Sequence, residues 1–144
     1  MSLEGNKAIA QRFCDEVWNS GDARAAGEIL APRIVRHGGE ATPTTTDRDA
    51  YMEYVAALRR ALPDLRCSIV QMVAEGDTVA VRYAIRGTHL GEWAGIAPSG
   101  RVLDYPSVDF LRIHDGQIQE VFGLADSGAV LRQMGVIPAL GGKA

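Results

Sequence analysis

The amino-acid sequence predicts an α+β fold, with N-terminal helices packed on the concave face of a cone-shaped, curved antiparallel sheet. Before residue 63 the apolar residues recur with helical spacing, and after Pro63-Asp64 they alternate with a period of two. The chain has 144 residues, of which 47% are hydrophobic, so it can bury the core of one domain. We expect that domain to span residues 4–136, followed by a flexible tail over residues 137–144.

The first two helices are defined by apolar spacing and a capping residue. Over residues 6–18, Ile9, Phe13 and Val17 recur every four positions and form one apolar face. Asp22 follows a glycine turn and is placed to cap a second, short helix.

A third helix follows a change to polar composition. A short extended segment over residues 34–37 and a polar loop over residues 40–46 separate it from the second helix. Thr46 or Asp47 can cap the third helix, which is predicted to run to about Leu62.

Four strands are predicted in the second half of the chain, and those joined by tight glycine turns pair antiparallel. Their bounds are about 66–74, 78–88, 101–113 and 117–126. The connection over residues 90–100 contains Trp93 and Ile96 and is too apolar for a solvated loop, so we expect it to fold back over another part of the molecule. A final helix is predicted over residues 127–134.

Composition and charge exclude several classes of function. The net charge is −3 and 23% of residues are charged, so no basic surface is expected for nucleic acid. Cys14 and Cys67 have neither metal-site spacing nor the density of a disulfide scaffold. No apolar run approaches the ~20 residues of a membrane span, and the N-terminus lacks the apolar region of a signal peptide. We expect a soluble, cytoplasmic protein with no membrane partner.

The last strand ends in a carboxylate, Asp126. Strict alternation places it on the inward face with Ile118, Glu120, Phe122 and Leu124. The same rule places Gln119, Val121 and Gly123 on the outward face. A carboxylate that continues an apolar face has its pKa raised by desolvation and can serve as a general acid or base. Alternatively, Asp126 caps the final helix, which it immediately precedes, and the two roles are compatible.

The strand before it provides a second inward carboxylate, Asp109, and Tyr105 near its start can reach the pocket rim. Alternatively, Asp109 is a charge at the edge or rim, or it pairs with an arginine such as Arg82. On the second strand Val79, Val81, Tyr83, Ile85 and Gly87 alternate inward, and the count extends to His89. His37 ends the earlier extended segment. Each histidine is either part of a site or a core residue whose hydrogen bonds are made within the protein.

Familiar catalytic motifs are missing from the sequence. It contains no GxSxG, HExxH, P-loop or GxGxxG pattern, and its three histidines are too widely separated for metal-ligand spacing. We therefore expect neither a metal nor an organic cofactor.

Several segments carry a resemblance to a known family. Residues 87–100, GTHLGEWAGIAPSG, are similar to the pattern GTHxGxxxGIxPTG. Residues 109–126 and 131–135 are similar to DxFRxxDGKIxEHWxxxD and LLxQLG, and residues 61–65 add ALPDL. These patterns are those of the SnoaL-like polyketide cyclases, a branch of the nuclear transport factor two-like superfamily, which the chain resembles over nearly its whole length.

The resemblance implies a function for Asp126, which matches the aspartate that ends EHWxxxD. In the characterised cyclases this aspartate is the acid/base of an intramolecular aldol ring closure that needs no metal or organic cofactor. The implied substrate is a bulky, apolar carbonyl compound of the polyketide type. The residues that we expect to contact it are His37, Tyr51, Tyr54, His89, Trp93, Tyr105, Asp109 and Phe122.

The sequence departs from the pattern at one point, where Val121-Phe122 replaces HW. With Phe122 pointing inward, this change removes a hydrogen-bond donor to the substrate. Two other functions remain open on the same fold: a non-catalytic ligand-binding domain, and a related epoxide hydrolase or ketosteroid-isomerase-like enzyme. The hydrolase would need Asp109, Arg82 and Asp126 around one water.

The outer face of the sheet is predicted to be too apolar for solvent, which predicts a homodimer through that face. The residues assigned to it are Val70, Met72, Ala80, Ala84 and Val121.

Overall fold

The computed structural model describes residues 2–39 and 42–141, so part of the loop predicted at 40–46 and the end of the tail predicted at 137–144 lie outside the described residues. The helices are α1 (Leu3–Arg12), α2 (Ala23–Ile29), α3 (Arg48–Ala61) and α4 (Ser127–Met134). A π-helical segment, Phe13–Trp18, continues α1. Asp22 and Asp47 cap α2 and α3 by accepting hydrogen bonds from backbone N–H groups of the first turn, as predicted. No helix in these two ranges is long and apolar enough to cross a membrane.

The five strands form one mixed sheet in the order β1-β5-β4-β3-β2. They are β1 (Leu30–His37), β2 (Arg66–Glu75), β3 (Thr78–Thr88), β4 (Val102–His114) and β5 (Gln117–Ala125). The α+β fold is confirmed, but the prediction of a purely antiparallel sheet is wrong, because β1 pairs parallel with β5. The segment predicted at 34–37 is the end of this additional strand. The sheet is not closed into a barrel, since β1 and β2 are its edges.

The core lies between one face of this sheet and the helices. Phe13, Val17 and Val55 are fully buried there, as their helical spacing predicts. They pack against alternate residues of β3 and β4, among them Val79, Val81, Leu111 and Ile113. The inner face of these two strands therefore follows the predicted alternation.

A bulge in β5 changes which of its residues face the core. Arg112 pairs with Glu120 but Ile113 pairs with Ile118, so Gln119 is one extra residue in β5. Both Ile118 and Val121 are buried, at 0% and 2% exposed, whereas Phe122 and Leu124 are 53% and 69% exposed. The inward orientations predicted for Glu120 and Phe122 and the outward ones predicted for Val121 and Gly123 are therefore wrong, because one inserted residue reverses the alternation beyond it. Leu124, near the end of the strand, is exposed but still lines the cavity on the inner face of the sheet.

A second bulge, at Val70 of β2, turns Met72 toward the core instead of the outer face. Val121, also assigned to the outer face, is buried because of the β5 bulge. The outer face is nevertheless apolar, and its exposed residues include Val70, Val73, Val108, Phe110 and Phe122.

Candidate functional site

A cavity of about 600 Å³ lies between the inner face of the sheet, α3, α4 and the connection over residues 90–100. Its wall is mainly aromatic and aliphatic. The side chains that form it include Trp18, Tyr51, Tyr54, Leu58, Ile85, Trp93, Ile96, Tyr105, Val121, Val130 and Met134. Its volume is within the range of small-molecule sites, which are usually apolar with a few placed polar groups.

The connection over residues 90–100 closes one side of the cavity, as its apolar composition predicts. The backbone N–H groups of Leu90 and Gly91 donate to the Ala61 carbonyl oxygen at the end of α3. Trp93 and Ile96 exchange two backbone hydrogen bonds, and the Trp93 ring centroid lies 6.2 Å from that of Tyr105. These contacts with the end of α3 and with Tyr105 hold the connection over the cavity.

Asp109 supplies a carboxylate to the cavity from the middle of β4. Burial raises the pKa of this carboxyl group from 3.8 to about 6, while the neighbouring Tyr83 hydroxyl and the positive charge of Arg36 act in the opposite direction. The protonated and ionised forms are then both accessible near neutral pH. Such a group can take a proton from a ligand and return it.

Two tyrosine hydroxyls in the cavity wall are held by donors from other elements. The indole Nε1 of Trp18 donates to the Tyr51 hydroxyl oxygen over 3.1 Å, and Arg36 Nη2 donates to the Tyr54 hydroxyl oxygen, also over 3.1 Å. The Arg36 guanidinium also lies 4.0 Å from the Tyr54 ring centroid. Each hydroxyl oxygen accepts one of these bonds, and its own proton remains available to a ligand.

Burial raises the pKa of Tyr51, Tyr54 and Tyr83, and the charge of Asp109 adds to this effect, so all three stay protonated at neutral pH. The Tyr83 hydroxyl is buried and has no hydrogen-bond partner within the described residues. The cavity thus brings one carboxyl group together with three neutral hydroxyl donors.

Asp126 lies at the surface, at the junction of β5 and α4. Its Oδ1 accepts a hydrogen bond of 3.0 Å from the backbone N–H of Ala129, so it caps α4. Its neighbours Ala125 and Ser127 line the cavity, which puts Asp126 at the cavity's edge. The capping interpretation matches this geometry, and the catalytic role stays a prediction.

The other predicted site residues divide into two groups. Those that line the cavity are Tyr51, Tyr54, Trp93, Tyr105 and Asp109. Those that do not are His37, His89 and Phe122.

His89 is completely buried below the connection over residues 90–100. Its Nδ1 accepts a hydrogen bond from the Ser99 backbone N–H over 3.1 Å and lies 2.9 Å from Ser99 Oγ. The side chain therefore fixes the end of the connection, as a core histidine would.

His37 and Phe122 lie together on the outer side of the sheet. The imidazole Nε2 of His37 is 2.8 Å from Glu120 Oε2, and its ring centroid is 5.7 Å from that of Phe122. Phe122 is outside because of the β5 bulge, and His37 is outside because β1 alternates from the buried Ile34.

Arg36, Trp18 and Tyr83 were not predicted as site residues. For Arg36 a signal existed, since it shares the parity of Ile34 in β1 and so faces inward. Tyr83 lies on the predicted inner face of β3 but was not assigned to the site. Trp18 had no such signal, because the π-helical segment changes the angular position of its last residue.

Within residues 2–39 and 42–141, no three His, Cys, Asp or Glu side chains are grouped so that they could hold a metal ion. The polar chemistry of the cavity comes from its carboxyl, hydroxyl, indole and guanidinium groups.

Comparison with known proteins identifies the family. A sequence model described as SnoaL-like polyketide cyclase matches residues 8–134. Aklanonic acid methyl ester cyclase AcmA of Streptomyces galilaeus is 24% identical over 127 residues, which are 88% of this chain and 88% of AcmA.

Two solved structures share the fold. A protein of Jannaschia sp. CCS1 described as a SnoaL-like polyketide cyclase superposes with a TM-score of 0.86 at 25% identity, covering 94% of this chain and 95% of that one. IdmH of Streptomyces antibioticus, described as a polyketide cyclase, gives a TM-score of 0.77 at 30% identity, covering 91% and 99%. With the family match over most of the chain, they show that this chain belongs to the SnoaL-like polyketide cyclases.

Proposed function

We propose that this chain is a cofactor-independent cyclase that closes a ring in a bulky, apolar carbonyl compound of the polyketide type by intramolecular aldol chemistry. The observation that carries the proposal is the half-buried carboxyl group of Asp109, which faces an aromatic cavity beside Tyr51, Tyr54 and Tyr83. Family membership supports the reaction class. The motif and the cavity offer different acid/base residues, Asp126 and Asp109, and the geometry supports Asp109 better.

In the proposed reaction, the Asp109 carboxylate removes a proton from a carbon next to a carbonyl group. The electrons move onto the carbonyl oxygen to form an enolate, which accepts hydrogen bonds from tyrosine hydroxyls such as that of Tyr54. The enolate carbon then attacks a second carbonyl group of the same molecule, forming a carbon–carbon bond and an alkoxide. Asp109 returns its proton to this alkoxide, so no atom is lost and no oxidant is needed.

A carboxylate is a weak base for carbon, so the substrate and the cavity must lower the barrier together. The acidic carbon must be flanked by groups that delocalise the carbanion, and both reacting carbons must be held close together. Flat aromatic walls suit a planar, conjugated substrate. Trp18 packs edge-on against Tyr54 with ring centroids 5.8 Å apart, and Trp93 and Tyr105 form a second aromatic pair.

The epoxide-hydrolase alternative is not supported by the geometry. Arg82 is exposed on the outer face, where it donates to Gln71 Oε1 over 3.4 Å, so it cannot share a water with Asp109. The outward position of Arg82 agrees with its alternation in β3.

The proposal is tested with the ester that the name of AcmA specifies. Purified protein is incubated with aklanonic acid methyl ester, and both product formation and binding are measured, the latter by quenching of tryptophan fluorescence. We expect cyclised product and an activity that changes with pH around the pKa of Asp109, about 6. Tight binding without product over a panel of polyketide-type esters would favour the non-catalytic binding domain.

We also propose a homodimer formed through the outer face of the sheet, for which the exposed Phe110 and Phe122 are paired neighbours on β4 and β5. Sedimentation at micromolar concentration is expected to give twice the chain mass, and Phe110→Asp is expected to give the monomer. A wild-type monomer at that concentration would rule this out.

A further inference from the structure

Gly123 lies directly opposite Asp109 in the β4–β5 pair, and the β5 bulge places it on the cavity side. A Cβ atom on residue 123 would overlap sterically with Asp109 Oδ1 and would lie 3.4 Å from Asp109 Cγ. We infer that Gly123 is a positioning residue, whose missing side chain leaves the space that the Asp109 carboxylate occupies. The inference rests on the proposed acid/base function of Asp109.

The backbone gives no other reason for a glycine at this position. Gly123 is not among the glycines with a positive φ, and it lies within a paired strand, where any residue can adopt the backbone conformation. Glycine in the interior of a strand weakens the strand and marks a place where another group approaches closely. Here the approaching group is a carboxylate oxygen.

The contact fixes where the carboxylate lies. With a methyl group at position 123, the Asp109 carboxylate would have to move by rotation about its side-chain bonds, because the methyl group itself has little room beside the backbone oxygen of Val108, 3.2 Å away. Rotation would carry the carboxylate away from its position over β5. A shift of about 1 Å in a reacting group can lower a rate by roughly 100-fold.

Gly123→Ala tests the inference through three measurements on the full chain. We expect turnover of aklanonic acid methyl ester to fall by roughly 100-fold. The ¹³C NMR titration of the Asp109 carboxyl carbon is expected to move away from the wild-type midpoint, and the melting temperature is expected to fall. An unmoved titration together with unchanged turnover would overturn the inference.

Asp109→Ala and the double variant Asp109→Ala/Gly123→Ala provide the matched control. Without the carboxylate the added methyl group has space, so Gly123→Ala should leave the melting temperature unchanged or raise it in the Asp109→Ala background. An equal fall in both backgrounds would overturn the inference. If Gly123→Ala does not fold while the double variant does, the clash is demonstrated directly.

These measurements separate this inference from the proposed function. The melting temperatures and the titration need no substrate, so they report on the Gly123 contact even if no ester is turned over. Conversely, an Asp109→Asn variant with full activity would refute the acid/base role of Asp109 and leave the Gly123 contact to be decided by the titration of the wild-type and Gly123→Ala proteins.

Discussion

Asp109 and Asp126 have the same side chain but differ in their exposure to solvent and in their neighbours. Asp109 lies in the middle of β4, faces the cavity, and has its pKa raised to about 6 by burial. Asp126 lies at the surface between β5 and α4, and its carboxylate accepts a backbone hydrogen bond from Ala129. A motif identifies a residue by its place in the sequence, but acid/base capacity depends on solvation and neighbours. The comparison favours Asp109 for chemistry and Asp126 for the start of a helix.

The largest expected effect is on turnover, which should respond to replacement of Asp109 and not of Asp126. Asp109→Asn keeps the shape of the side chain but cannot take a proton, so turnover of aklanonic acid methyl ester should fall by ~100-fold or more. Asp126→Asn is the matched control and should retain most of the turnover. The reverse pattern, with Asp126→Asn inactive and Asp109→Asn active, would assign the chemistry to the motif aspartate.

A second difference should appear in stability against pH. Because the folded pKa of Asp109 is above its unfolded value, the carboxyl group favours folding fully below pH 3.8, and this contribution is lost as the pH rises through about 6. The loss is on the order of 3 kcal/mol. Asparagine does not ionise, so the stability of Asp109→Asn relative to wild type should rise between pH 4 and pH 8.

Urea unfolding of both proteins across this range measures the effect. The other carboxyl groups are common to both proteins and cancel in the difference. A difference that is constant with pH would show that Asp109 is not held at a raised pKa.

The smallest expected effect concerns the helix cap. Asp126→Ala removes the acceptor for the Ala129 N–H and should cost about 1 kcal/mol of unfolding free energy, whereas Asp126→Asn should cost little because asparagine caps nearly as well. Urea unfolding of both variants at one pH checks this. Equal stability of Asp126→Ala and wild type would contradict the capping role.

Local features of the fold could be predicted from the sequence because their causes are local. Asp22 and Asp47 cap the helices that follow them, and the predicted bounds of α3 differ from the observed ones by one or two residues. The inner faces of β3 and β4 follow simple alternation, which correctly placed Asp109 and Tyr105 in the cavity wall. Each of these depends only on nearby residues.

Features that depend on distant pairing could not be predicted in the same way. The parallel pairing of β1 with β5 joins residues such as His37 and Phe122, which are far apart in the chain. The bulge at Gln119 is defined only by how β5 pairs with β4. Alternation without a bulge predicts Phe122 in the cavity and Val121 outside, and the bulge reverses both positions. The geometry of the π-helical segment likewise placed Trp18 in a site that its spacing did not indicate.

The extra residue in β5 makes chain length a determinant of the ligand cavity. Between Ile118 and Gly123 the number of residues, as well as their identity, decides which side chains meet the ligand. Deleting the bulged Gln119 would leave Ile118 and Val121 both inward under regular alternation, with Phe122 still outside and Gly123 still opposite Asp109. Deleting Val121 instead would turn Phe122 toward the interior and Gly123 toward the outside, and Asp109 would lose the space that it occupies. The position of a one-residue deletion in β5 thus decides whether the cavity wall is kept or exchanged.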